Sequence, residues 1–375
     1  MERVSVQPRE RFEDLLVQEG VNYQGIDGSY WFEDRAYALT PEESERLHQA
    51  AEKAWSILLE TLACVIATNR LSELGIPELY HDLIRHSWET RDPSLFTRLD
   101  LACDRDGAIR LLECNGDTPI TLLESGIIQE RWRAAVCPTN RQWNQLETSL
   151  SRRFQELLKD GSRIHFLVAD GAIEELDNLQ YLRRIALSEG IQSQALTHRQ
   201  LFCDAASGQI VNAETGEPLD TIVKLYPWEW LLEDTFTNHH HLTTLTFFEP
   251  AWKIPLCSKG ILAMAWELFP SESVLLPTYL DTPRSMKSFV AKPLFGRKGD
   301  SLALINDQRI EIDHQGSYAG QQRVYQEFVH VPVFDAWRVT LGAWIVGDTP
   351  CGISVRESRE VLMRSESICV PHYIL

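Results

Sequence analysis

Two runs of alternating residues on either side of a tight turn constrain this chain more than any other feature. The first reads Leu95-Phe-Thr-Arg-Leu-Asp-Leu-Ala102, the second Ala108-Ile-Arg-Leu-Leu-Glu-Cys-Asn115, with Asp106-Gly107 between them. Asp-Gly in that position favours a two-residue type I′ turn. With such a loop Arg105 pairs with Ala108, Asp100 stands opposite Glu113 and Arg98 opposite Asn115. Side chains alternate along a strand, so these four polar groups share one face, and Leu99, Leu101, Leu112 and Cys114 share the other.

Two carboxylates directly opposite each other repel and weaken a bare hairpin. A hard divalent cation between them removes that cost. Mg²⁺ binds through one or two carboxylates and completes its shell with substrate phosphates and water. Asn115 offers a further neutral oxygen, and Arg98 a planar cation for a phosphoryl or carboxyl oxygen. The same pattern also fits a solvated polar face carrying surface ion pairs. A three-residue loop would flip one strand and separate the groups.

The chain has 375 residues, 44% of them hydrophobic and 24% charged, with 11 Trp and 14 Phe. That is enough for more than one packed core and argues against disorder. The formal charge is -18 with no basic block, which speaks against nucleic acid or an anionic membrane as partner and is compatible with a cationic substrate. No apolar run approaches the roughly 18 residues of a membrane span. The N-terminal segment MERVSVQPRERFEDLL carries charge where a secretory leader needs an apolar core, so a cytoplasmic location is expected. Cys64, Cys103, Cys114, Cys137, Cys203, Cys257, Cys351 and Cys369 are scattered, without zinc spacing, and read as reduced thiols.

Thr40-Pro41-Glu42-Glu43 starts a helix: Thr as cap, Pro at the first helical position, Glu three residues after the cap. It should run to about residue 67, with a stripe through Leu47, Ala50, Ala54, Ile57, Leu58 and Leu62. Helices are also expected over 121–135 and 141–159. The run at 164–169 followed by a helix over 174–188 and Gly190 reads as one unit of a mostly parallel sheet. Strands follow at 222–225 and 245–248, and a helix over 258–269. Beyond that come strands at 289–292, 302–305, 324–329, 337–346 and 352–356, joined by short polar turns, which reads as an antiparallel sheet. The fold class is mixed α/β, tending to α+β.

Other groups suit an anionic ligand. Residues 290–301 read as a strand ending in Lys292 and a loop with Gly296, Arg297, Lys298 and Gly299, able to fold over phosphates, though basic glycine turns are often only surface hairpins. Lys259 opens a helix, where anions are favoured. Arg356 ends a strand. The segment Gln326, Glu327, Phe328, Val329 could offer backbone groups to an adenine. Glu174 and Glu175 begin a helix, where acidic residues cap the dipole or form an anionic lip for an amine. His239, His240 and His241 are consecutive and point in different directions, so they read as a polar loop. No Ser/His/Asp order and no cysteine nucleophile stands out.

Taken together the motifs resemble the synthetase part of glutathionylspermidine synthetase and its stand-alone relatives, an ATP-grasp family. The anchors are RLDLA (98–102), LLECNGDTP (111–119), VKLYPWEW (223–230), EPAWK (249–253), SKGILAMAWELFP (258–270), VAKPLFGRKG (290–299) and GISVRES (352–358), in family order across 29–363. The resemblance implies an ATP-grasp fold, with an antiparallel nucleotide-binding sheet and an accessory parallel α/β unit. The division it suggests is 1–160 for N-terminal helices and the hairpin (95–119), 161–240 for a substrate-binding unit, and 241–375 for the nucleotide region.

By the same resemblance Asp100, Glu113 and Asn115 are magnesium ligands, and Arg98 stabilises the transferring phosphoryl group. Thr118 holds the carboxylate substrate. Lys259 and Lys292 are the nucleotide lysines, and Arg297 belongs to the closing loop with Gly296 and Gly299. Gln326 to Val329 contact the base, Val361, Leu362 and Met363 form a second nucleotide wall, and Arg356 contacts phosphate. Glu174 and Glu175 look toward the amine.

The implied activity is ATP- and Mg²⁺-dependent amide formation between a small-molecule or peptide carboxylate and an amine. The chain has no room for the amidase domain of the two-headed members. It carries Gly-Asp-Thr-Pro after Asn115, as the stand-alone relatives do, and Thr340 where the two-headed members place Gln. These departures leave the acid and the amine open. A phosphotransferase and a nucleotide-regulated binding protein are the alternative readings.

Overall fold

The polar hairpin forms as two strands, Phe96–Cys103 and Ile109–Asn115, in a computed structural model that describes residues 1–23, 30–204, 206–234, 242–363 and 367–375. His239, His240 and His241 lie outside the described residues. The hairpin turn is longer than the sequence suggests. Cys103 pairs with Ile109, and the chain turns through 104–108 with Gly107 at φ +81°. The Asp104 side chain organises this loop by accepting from the Asp106 and Ala108 amides at 3.0 and 2.8 Å, an Asx-type turn.

The longer loop shifts the register by one residue. A β-bulge at Leu112, between the Asp100–Glu113 and Leu101–Leu111 pairs, shifts it back. Arg98 therefore does stand opposite Asn115, and Asp100 opposite Glu113. The difference falls on the apolar face. Leu111, not Leu112, joins Leu99, Leu101 and Cys114 in the core, and Leu112 is turned to the cleft described below. Each such leucine contributes about 1.5–3 kcal/mol by leaving water, enough to fix which face of the hairpin is inside.

That inner face shares one core cluster with the helix Pro41–Ala67. The helix has the expected capping box: Thr40 Oγ1 accepts from the Glu43 amide at 3.2 Å, and Glu43 Oε2 accepts from the Thr40 amide at 2.9 Å. Ala51 is buried where the stripe predicted Ala50.

Phe96–Cys103 also pairs with Trp337–Val346, which pairs with Thr349–Ser358 and, through it, with Ile368–Val370. With Val333–Phe334 this makes a six-stranded antiparallel sheet. A second, five-stranded antiparallel sheet runs in the order Thr278–Tyr279, Arg323–Glu327, Ser288–Pro293, Ala303–Asn306, Arg309–Asp313. The third sheet is parallel, in the order Thr246–Phe248, Thr221–Leu225, Arg163–Val168, Gln192–Thr197. Its crossover helix is Ile173–Ser188, which opens with Glu174 and Glu175 in its first turn. A small three-stranded sheet that the sequence did not suggest joins the two ends of the chain: Glu2–Ser5, Arg35–Leu39 and His372–Ile374.

Two helices differ from expectation. The one expected over 141–159 spans only Leu146–Leu157, because the preceding residues bond to strands instead. Gln145 donates its amide to the Cys351 carbonyl at 2.6 Å, and the Ile374 amide donates to Arg141 at 2.8 Å. The one expected over 121–135 contains a π-turn at Glu124–Ile128. Gly126 sits there because a Cβ would fall 2.1 Å from Tyr181 Oη. All eight cysteines are free thiols. Among the described residues no helix is long and apolar enough to cross a membrane.

Candidate active site

The polar face of the hairpin lines a cleft that the five-stranded sheet and the parallel unit also face. On that face the two opposed carboxylates are neutralised by cations from different places. Asp100 receives Arg98 Nε at 2.8 Å and Arg356 Nη2 at 2.6 Å. Burial works to raise the Asp100 pKa, but the two guanidinium groups outweigh it and bring it down to about 2. Glu113 receives Lys259 Nζ at 2.9 Å. Arg98 is fixed from three sides: Asp100, the Ile120 carbonyl at 2.5 Å, and the Trp344 ring, with its guanidinium 5.9 Å from the ring centroid. The Asn115 amide nitrogen is buried and has no partner among the described residues.

Two lysines stand beside the hairpin. Lys259, just before the helix Gly260–Leu268, also donates to the Gly296 carbonyl at 2.8 Å. Lys292, on Ser288–Pro293, donates to the Leu112 carbonyl at 3.1 Å and to Gln326 Oε1 at 2.6 Å. Among the described residues no carboxylate is in direct contact with it, and burial lowers its pKa to about 8. Gln326 thus spends its Oε1 on Lys292 and its Nε2 on the Leu111 carbonyl, to which it donates at 3.4 Å. The amides of Glu327 and Phe328 are taken by the Pro277 and Ser288 carbonyls at 2.8 and 3.0 Å. Those donors are therefore not available to a base, and what this corner offers instead is an apolar wall. Val290, Leu304 and Leu362 are buried in one cluster with Phe328 packed on it, and Val329, Val361 and Met363 line the cleft beside it.

Over the cleft lies the loop that follows Ser288–Pro293. Arg297 Nη2 donates to Thr118 Oγ1 at 2.9 Å, Nη1 lies 3.7 Å from Glu229 Oε1, and the guanidinium is 5.6 Å from the Trp230 ring centroid. Lys298 Nζ reaches Glu174 Oε2 at 2.8 Å. Gly296 and Gly299 line the cleft, and Gly299 has φ +71°. The structure thus brings to one cleft every residue given a site role in the sequence except one. Glu175 is half-buried beside Glu174 and does not line the cleft.

Several cleft residues escaped the sequence reading. Glu229 opens the short helix Trp228–Leu231, and burial raises its pKa against the pull of Arg297. Behind it Asp117 accepts from Lys224 Nζ and, at 2.8 Å, from the Trp228 amide. Lys224 and Asp117 are 0% and 3% exposed, so this pair is a buried fastener tying the segment after the hairpin, with Thr118, to the parallel sheet. Their signal was present in VKLYPWEW and CNGDTP, but nothing in either motif says that they meet. Tyr23, Tyr30 and Thr121 also line the cleft, and the two tyrosines meet edge to face at 5.1 Å.

The donor set of the hairpin fits a hard cation. It consists of oxygens only, two carboxylates and an amide. Among the described residues there is no group of three or more His, Cys, Asp or Glu able to hold a metal. Such a site is completed by phosphate and water oxygens, which is how Mg²⁺ binds beside nucleotides.

The chain is similar to several known proteins. The model of the glutathionylspermidine synthase preATP-grasp family matches residues 3–375. A Haemophilus influenzae protein named, provisionally, as an acid–amine ligase is 29% identical over 378 residues, covering 96% of both chains. The trypanothione synthetase of Crithidia fasciculata is 24% identical over 94% of this chain. The bifunctional glutathionylspermidine synthetase/amidase of Escherichia coli is 23% identical over 89% of it. The alignments span only 56% and 58% of those last two proteins. In structure the chain is similar to a glutathione synthetase-like effector from Globodera pallida, with a TM-score of 0.61 and 12% identity, covering 97% of this chain and 95% of that one. At that identity the likeness is one of fold. The chain belongs to the glutathionylspermidine synthase preATP-grasp family, and its mixed α/β architecture is of the ATP-grasp kind.

Proposed function

We propose that this family member is an acid–amine ligase that uses Mg-ATP to activate a carboxylate as an acyl phosphate and then joins it to an amine. One observation carries the reading: Arg98, Asp100, Glu113 and Asn115 of one sheet, Lys292 of another and Lys259 at a helix start all face a single cleft. Three cations beside two carboxylates suit a triphosphate with a bound divalent ion better than they suit any neutral ligand.

In this reading Lys259 and Lys292 hold the ATP phosphates with Arg356, and the apolar wall of Leu362 and Phe328 takes the base, flanked by Gln326 to Val329 and Val361 to Met363. Asp100, Glu113 and Asn115 would hold Mg²⁺, which supplies charge neutralisation on the phosphates. Thr118 and Arg297 position the substrate carboxylate. Its oxygen forms a bond to the γ-phosphorus as the bond from that phosphorus to the bridging oxygen of ADP breaks, with Arg98 and Arg297 stabilising the charge that spreads over the transferring group. The 296–299 loop excludes water from the acyl phosphate. An amine nitrogen then bonds to the acyl carbon, phosphate leaves with the carbon–oxygen bond, and the amine proton is lost. Glu174 and Glu175 form the acidic lip toward the amine, with Glu175 lying outside the cleft lining. The acid is a small molecule or a peptide.

The test is ADP release from Mg-ATP against a panel of peptide acids with and without polyamines, with products analysed by mass. The expected product is acid plus amine minus water, one per ADP. A stable phosphorylated acid released without amine would make the protein a phosphotransferase instead. Tight ATP binding with no ADP on any pair would favour a binding protein.

Lys292 gives a further expectation. A free lysine titrates near 10.4, whereas this one sits at about 8. Between those values the unfolded chain binds more protons, so the Lys292 contribution to stability rises with pH across that window. For binding the sign is opposite: the cation is present below about 8 and fades above it, and a bound phosphate restores it. Calorimetry at pH 8.5 in buffers of different ionisation enthalpy is expected to register proton uptake on ATP binding. Lys292→Met should abolish that uptake. No uptake in the wild-type protein removes Lys292 from the phosphate site.

A further inference from the structure

The loop cation Lys298 is bound at the carboxylate that the proposed function turns toward the amine. Its Nζ lies 2.8 Å from Glu174 Oε2. Glu174 is only 12% exposed in its side chain while Lys298 is 46% exposed, so the lysine enters the pocket from solvent and Glu174 does not come out to meet it. Lys298 is held in the left-handed region at φ +52°, followed by Gly299 at φ +71°. A non-glycine residue adopts that conformation at some cost, and here it aims the side chain at Glu174. Tyr23 lies close enough to both charges for each to act on its hydroxyl. A buried carboxylate receiving an alkyl ammonium, with a tyrosine hydroxyl nearby, is what an amine subsite consists of.

The preceding residue points the other way. Arg297 engages Thr118 and Glu229, so one loop reaches with consecutive cations to the proposed acid subsite and the proposed amine subsite. The amine that attacks must itself be neutral, since an ammonium has no lone pair. A charge on Glu174 is therefore matched by an ammonium that does not react: a second nitrogen of the substrate, or Lys298.

We propose that Lys298 is an internal ammonium that occupies the amine subsite at Glu174 and latches the loop shut, and that the amine substrate binds by displacing it. This deepens, and rests on, the reading of Glu174 as the amine-facing residue. In the latched state the loop covers the acyl phosphate while no amine is present. Arrival of an amine bearing a spare positive charge exchanges one ion pair for another and releases the loop. Amines without that second charge displace Lys298 poorly, which makes Lys298 a specificity-determining residue.

The experiment measures spermidine binding by calorimetry, with Mg²⁺ and a non-hydrolysable ATP analogue present, to the wild-type protein, Glu174→Gln and Lys298→Gln. A partly exposed ion pair shifts such an equilibrium roughly two- to fivefold. Spermidine is expected to bind two- to fivefold more tightly (roughly) to Lys298→Gln and more weakly to Glu174→Gln. Equal binding to wild type and Glu174→Gln, or none to either, overturns the amine-facing reading of Glu174 and the proposal with it. Weaker binding to Glu174→Gln without tighter binding to Lys298→Gln overturns the competition alone.

Trypsin gives an independent readout, because Arg297 and Lys298 are its own cleavage residues. Cleavage after Arg297 should be faster in both folded variants than in the wild type, and spermidine should speed it in the wild type but not in Glu174→Gln. An unchanged rate in both variants shows that no latch exists.

Discussion

Arg98→Ala is expected to lose about 10²- to 10³-fold in turnover, because removing one group that stabilises transition-state charge typically costs about 2.7–4 kcal/mol of barrier. The side chain is held for that task by Asp100, the Ile120 carbonyl and the Trp344 ring. Three constraints on one guanidinium leave it little freedom, so little reorganisation accompanies the reaction. The same contacts raise the alternative that Arg98 only neutralises Asp100. Arg356 also holds Asp100, at 2.6 Å, so the carboxylate keeps one partner in the variant and the fold should survive. Arg98→Lys separates the two roles further. It keeps a charge but not the planar fork, and should recover structure better than turnover. Steady-state kinetics on variants with native circular dichroism is the check. Turnover within a factor of two or so of wild type in a folded Arg98→Ala protein would remove Arg98 from the chemistry.

The second large effect is on stability. Glu249→Ala and Lys253→Met are each expected to destabilise the protein by about 3–5 kcal/mol, the cost of leaving one member of a buried ion pair alone. Lys253 is fully buried and Glu249 almost so. Glu249 accepts from Ser94 Oγ at 2.9 Å and from the Leu95 and Phe96 amides at 3.1 and 2.8 Å. Lys253 donates to the Phe96 carbonyl at 2.9 Å and to Thr97 Oγ1 at 2.5 Å, and pairs with Glu249 at 2.6 Å. The EPAWK motif therefore clamps the first residues of the strand that carries Arg98 and Asp100. Thermal and urea unfolding should register the loss as lower midpoints, and the double variant Glu249→Leu with Lys253→Met should recover part of it. Midpoints like those of wild type in both single variants would contradict a clamp.

The sequence was most legible where a signal was local. The Thr40 capping box, the alternation of the hairpin and the strand–helix unit at 163–188 each depend on residues a few positions apart, whereas the strand Gln192–Thr197 that follows was not read. The hairpin shows how such reading works and where it slips. Asp106-Gly107 suggested a two-residue loop, Asp104 organised a longer one, and the bulge at Leu112 restored the polar pairs while exchanging Leu112 for Leu111 in the core. Neither the loop length nor the bulge has a sequence signature strong enough to be read beforehand.

What stayed hidden was mostly long-range. Nothing near Asp117 names Lys224 as its partner across more than a hundred residues, and nothing in the glycine loop says that Lys298 will reach Glu174. The shortened helix at Leu146 has the same cause: its expected first turn is taken by strands near the C-terminus. The site roles came from family resemblance carried by the order of seven motifs, and local physics supported them most firmly at Arg98, Asp100, Glu113 and Asn115.

The central claim is an acyl phosphate formed from the acid, and isotope transfer tests it most directly. The acid that supports ADP release is supplied with both carboxylate oxygens as ¹⁸O, together with Mg-ATP and amine, and the released phosphate is analysed by mass. Formation of an acyl phosphate predicts one ¹⁸O in each phosphate and one retained in the amide. Unlabelled phosphate, with adduct still forming, would contradict the account, because the carboxylate oxygen would then never have been bonded to phosphorus.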